Sequence, residues 1–180
     1  MRTQAQKESR KAGGSGMYRR LFRHTIALFL GSVLAANAAG AAASTSVNYQ
    51  VRGVEIYATA TRGVFTGVTW AADDYGNWYA VVDHTAFDAA RTATITGGIF
   101  DLNGYRRDVS GTFDPGGTVL LRSAASGCGR EVFDVDGTMT IAGGGSGVLD
   151  ATLVHYRRAV LGRCITYGAT VSGTVALTLP

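Results

Sequence analysis

Ile165-Thr166-Tyr167-Gly168-Ala169-Thr170-Val171-Ser172-Gly173-Thr174-Val175-Ala176-Leu177-Thr178-Leu179 is the stretch that decides the fold. Ile165, Tyr167, Ala169, Val171, Val175, Leu177 and Leu179 share one side of an extended chain; Thr166, Thr170, Ser172, Thr174 and Thr178 share the other. The period is two, because successive side chains of a strand point to opposite faces. Gly173 falls on the apolar side and predicts a bend. Around Phe133 the same rule puts Phe133, Val135, Met139 and Ile141 inside, with Asp134, Asp136, Thr138 and Thr140 in water. One apolar and one polar face per strand is the signature of an antiparallel sheet with a wet side.

Working outward, clusters of Gly, Asn and Asp mark the turns and leave about nine strands. They are expected near 47–59, 63–71, 78–83, 92–102, 108–113, 117–122, 131–142, 147–157 and 165–178. In the first, Val47, Tyr49 and Val51 give way to Val54 and Ile56 across Gly53, which predicts a bulge at that glycine. His84 to Arg91 is the one connection with room for a helical turn, and Asp114-Pro115-Gly116-Gly117 reads as a chain reversal. The fold class is therefore all-β: a single antiparallel meander closing into a small barrel, with a two-sheet sandwich as the alternative. An outer-membrane barrel would also alternate, but it needs an outward apolar band and longer strands.

The N-terminal 43 residues read differently. Arg19, Arg20, Arg23 and His24 precede an apolar run of 11 residues, Ile26 to Ala36, and then a small-residue tract. This is the order of a secretory signal, since the run is too short for a bilayer span of about 20 residues. We assign 1–16 to a disordered upstream extension, 17–43 to the signal peptide and 44–180 to one all-β domain. The expected location is secreted or periplasmic, with no stable membrane insertion after cleavage.

Removing that segment changes the charge. The chain has 17 Lys+Arg and 13 Asp+Glu. Residues 1–43 carry seven of the bases and one of the acids, so 44–180 has ten bases, all Arg, and twelve acids. A domain of formal charge −2 lacks the basic surplus that a nucleic acid demands, and no nucleic-acid partner is expected.

Cys128 and Cys164 are the only cysteines. Outside the cytoplasm they predict one disulfide. With His84 and His155 they show no metal-ligand spacing, and neither a metal nor another cofactor is expected. In a strict meander alternate loops share an end, so the loops at 123–130 and 158–164 become neighbours and bring the two cysteines together. The same parity sends 73–77 and 103–107 to that end. Tyr75, Trp78, Tyr105, Arg106, Arg107, Arg130, Tyr156, Arg157, Arg158 and Arg163 would then form one Arg/Tyr-rich binding end. Arg offers a planar fork for anions, and Tyr and Trp offer stacking faces for rings and sugars. The expected partner is an anionic small molecule, a glycan or a protein.

The rival readings are an enzyme at the same mouth with His155 as base, and a structural or inhibitory envelope protein. There is no G-x-S-x-G. Asp134-Val135-Asp136-Gly137 lacks the later ligands of a calcium loop. No carboxylate pair stands out for glycoside hydrolysis.

Overall fold

The structure, a computed structural model, describes residues 43–180. The upstream extension read at 1–16 and the export signal read at 17–43 lie, but for Ala43, outside the described residues.

The described residues form nine strands: β1 (Thr45–Thr59), β2 (Arg62–Trp70), β3 (Tyr75–His84), β4 (Thr92–Gly104), β5 (Asp108–Phe113), β6 (Thr118–Ala124), β7 (Arg130–Ile141), β8 (Gly145–Val160) and β9 (Arg163–Leu179). Every pairing is antiparallel, and β1 returns to β9, so the sheet closes into a barrel. Closure removes most of the exposed edge that an open sheet of this length would present. The 84–91 connection holds no helix. Asp88 organises it instead, its carboxylate accepting the Thr92 N–H at 2.9 Å.

One connection departs from a meander. Asp114-Pro115-Gly116-Gly117 does not reverse the chain. β5 pairs with the second half of β4, and β6 pairs with its first three residues, both antiparallel. β7 takes β5 and β6 in the same way on the other side. The two short strands thus lie end to end in one position of the barrel. The intervening segment stays in the sheet, donating from Gly116 N to the Ile95 carbonyl and from Asp114 N to the Thr138 carbonyl. A turn-like composition marks a jog here, with Gly116 in the left-handed region at φ 112°.

Inward side chains fill the barrel. Tyr49, Ile95, Phe100 and Val175 are completely buried, and Val51, Leu102, Met139 and Leu177 nearly so. The interior void between Phe65, Trp78 and Val135 is about 10 Å³, no more than one water. Eight strand positions leave an interior just wide enough for side chains. Apolar groups face in while Asp134, Thr138, Asp150 and Thr174 face out, the reverse of a membrane barrel with a polar lumen. Among the described residues no helix is long and apolar enough to cross a membrane.

The bulge in β1 lies between Glu55 and Tyr57, not at Gly53. Gly53 is in regular register with Gly67 and Val171. Its role is close approach: a side chain there would run into the Thr66 carbonyl and the Trp78 ring. Alternation therefore continues through Gly53, placing Glu55 inward and leaving Val54 and Ile56 exposed.

Candidate functional site

Because 114–117 does not reverse the chain, loops before and after it do not share an end. Tyr75 begins β3 beside the end of β4, and Asn103 pairs with Asp108, so Tyr75, Tyr105, Arg106 and Arg107 gather at one end. Arg130, Tyr156, Arg157, Arg158 and Arg163 gather at the other, where β7 begins and β8 meets β9. The single end expected from parity is two. Both cysteines follow the jog, so their mutual parity survives: Cys128 and Cys164 are bonded, with Cα atoms 5.2 Å apart.

The end without the disulfide is a plug. Asp74 is 3% exposed and accepts hydrogen bonds from Tyr49 Oη at 2.7 Å and from Tyr75 N and Arg106 N at 2.9 Å each. Burial pushes its carboxyl up, but these donors and the Arg107 charge outweigh burial and hold it below the usual range. Burial, then the bond to Asp74, pushes the Tyr49 hydroxyl up to about 12. Arg107 is spent on Asp73, Nη2 to Oδ2 at 2.9 Å. Tyr75 and Tyr105 stack on one another at 5.5 Å. Trp78, expected at a ligand-facing mouth, is 3% exposed in the core, and its indole N–H donates to the Arg52 carbonyl at 3.1 Å. Its ring packs against the space that Gly53 leaves open.

The disulfide end is built otherwise. Two hairpin arms form it, β1–β2 and β8–β9, and Cys128–Cys164 ties the second arm to the loop before β7. Arg130 lies over the Tyr156 ring and Arg158 over the Tyr167 ring, each at 5.6 Å, and the two rings are 6.4 Å apart. Arg130, Arg158 and Arg163 have no carboxylate within 4.0 Å among the described residues. Arg157, grouped with them by sequence, is instead spent on Glu131.

Between the arms the barrel mouth holds a cleft of about 70 Å³, bounded by Glu55, Arg62, His84, Phe87, Phe133 and His155. His155 Nε2 lies 2.7 Å from Glu55 Oε2, with both side chains largely buried, and the imidazole leans on Phe133 at 4.9 Å. Phe87 folds over the mouth to 5.7 Å from Phe133. A histidine oriented by a carboxylate is the arrangement that supports proton transfer. Its hydrogen-bond partner here is that carboxylate alone, with no nucleophilic hydroxyl or thiol bonded to it among the described residues.

Sequence reasoning missed Glu55, Phe87 and Tyr167. Unbroken alternation from Val47 would have found Glu55 as a carboxylate at an inward position, and an aromatic in the loop over a barrel mouth could have flagged Phe87. Comparison with known proteins finds no family model, no curated relative and no solved structure that matches the chain. The fold and this geometry therefore define the class on their own: an antiparallel barrel with a filled interior, a plugged end and a disulfide-braced end of two arms.

Proposed function

We propose that the chain is an exported binding module that engages an anionic partner through its disulfide-braced end. The observation that carries this is the row Arg130–Tyr156–Tyr167–Arg158. Stacking on a ring orients each guanidinium without consuming its N–H donors, and no carboxylate of the described residues neutralises either. A filled barrel and a mouth of about 70 Å³ leave little room for a small molecule inside, well below the roughly 300 Å³ of ordinary ligand pockets. The reading that fits is a larger partner, bound at the rim. The disulfide supports export, since such bonds persist in oxidising compartments.

The test is retention on immobilised heparin and on immobilised polyglutamate. A domain of formal charge −2 has no bulk attraction for either polyanion, so retention must come from a local patch. The triple variant Arg130→Ala, Arg158→Ala, Arg163→Ala should elute at lower salt from at least one resin, and Arg106→Ala should elute like the parent. Equal elution of parent and triple variant on both resins removes the proposal.

A further inference from the structure

The barrel is closed along most of its length and open at one place. The β1–β9 ladder runs from Thr45 opposite Leu179 to Val54 opposite Thr170, and stops. β1 nevertheless continues to Thr59, paired with β2 on its other side, and β9 begins at Arg163, paired with β8 on its other side. Glu55–Thr59 and Arg163–Ala169 therefore each have a strand neighbour on one side only. Two short edges face one another across a seam, in a fold that otherwise eliminates edges.

Paired bulges open it. Ile56 is the extra residue of β1, between Glu55 and Tyr57. Tyr167 is the extra residue of β9, between Thr166 and Gly168, opposite Tyr156 and Arg157 of β8. A bulge bends its strand and increases the local twist, and here two at the same level splay the arms apart. Ile56 is 58% exposed and Tyr167 61%. With Tyr57, Ala58, Thr166 and Gly168 they line a cleft of about 460 Å³. The space is open from the β9 side as well: a side chain placed on Gly168 would meet nothing within 4 Å.

The walls say what fits. Backbone donors and acceptors of two strand edges are matched by another extended backbone, since this is how a peptide adds to a sheet edge. The five residues of Glu55–Thr59 present about 17 Å of edge at roughly 3.3 Å per residue. Apolar side chains at Ile56, Tyr57 and Tyr167 suit apolar groups at alternate positions of the guest. The charge of the guest follows from the rim. Arg130, Arg158 and Arg163 are unpaired among the described residues, while of the acids of this end Glu55, Asp83 and Glu131 are engaged by His155, Arg62 and Arg157, and Asp88 accepts the Thr92 N–H. We infer that the seam between β1 and β9 receives an extended acidic segment of a partner protein as an added strand. This rests on the proposal that the disulfide end binds anions, and it names the partner.

The experiment uses the full chain expressed for export and purified without reductant. The probe is a fluorescent peptide of strictly alternating Glu and Val. Its controls are the same peptide with the central valines replaced by proline, and vesicles rich in phosphatidylglycerol. The alternating peptide should bind and slow amide hydrogen exchange within 55–59 and 166–169, while the proline peptide, of identical charge but unable to complete a ladder, should bind about tenfold more weakly or worse. Gly168→Val, which fills the cleft, should weaken the alternating peptide by about tenfold while leaving elution from heparin unchanged. Equal binding of both peptides, protection away from the seam, no peptide binding, or capture by vesicles in its place would each overturn the inference. The two proposals fail separately: heparin or polyglutamate retention lost in the triple arginine variant, with the peptide indifferent to Gly168→Val, would keep the anion-binding end and discard the seam.

Discussion

Asp74 shows what a single side chain contributes to this fold. A carboxylate 3% exposed is tolerable only because three donors surround it, one of them the hydroxyl of the fully buried Tyr49. Asp74→Asn places an amide NH₂ where an acceptor is needed and should cost about 1–3 kcal/mol, measured by urea denaturation at neutral pH. The pH dependence has a definite sign. Its carboxyl is held below the unfolded value of roughly 3.9, so its contribution is complete above that pH and is lost as the pH falls through the folded value. Asp74→Asn should therefore flatten the fall of stability with acid, and an unchanged acid limb would contradict this role. At this scale the sequence was only partly legible. The segment 73–77 and Arg107 were placed at one end of the sheet, but local composition does not say that Asp74 is the charge buried there. Glu55 went unnoticed because a glycine inside the first strand was read as the point where alternation breaks.

At the scale of strands, period two and glycine-rich turns located nearly every element, since an inward-apolar, outward-polar strand writes its burial directly into its sequence. Asp114-Pro115-Gly116-Gly117 misled because turn composition is shared by a reversal and a jog, and only the neighbours' hydrogen bonds tell them apart. Two predictions belong to this scale, one from the pairing of β7 and one from the disulfide. Asp136 sits directly opposite Asp150 on the outer face. Burial, then the Asp150 and Asp134 charges, push its carboxyl up, so the ionised form costs stability at neutral pH, and that cost is relieved as the pH falls through the raised value. Asp136→Asn should stabilise by about 0.2–1 kcal/mol at pH 7, seen as a higher Tm, with the gain disappearing in acid. Cys128→Ser opens a loop spanning 36 positions and should lower stability by roughly 3–4 kcal/mol while leaving the strand signal in far-ultraviolet circular dichroism unchanged. Loss of that signal under native conditions would make the bond a condition of folding and not a brace.

For the whole molecule, closure and a disulfide were readable, because they follow from strand number and cysteine parity, whereas the filling of the interior was not anticipated. The division into two ends was not, since one misread connection inverts the parity of every loop before it. The consequence is functional. Tyr75, Tyr105, Arg106 and Arg107 belong to a self-satisfied plug, whereas Arg130, Tyr156, Arg158, Arg163 and Tyr167 occupy a braced rim with unspent donors. The measurement that tests this most directly is an NMR titration of the isotope-labelled, oxidised protein with polyglutamate and, separately, with a short heparin oligosaccharide. Chemical-shift changes concentrated at 130–131, 156–158 and 163–167, and weakening with added salt, are the predicted result for at least one of the two. Changes concentrated at 73–77 and 103–107 would contradict it, as would the absence of any change with both.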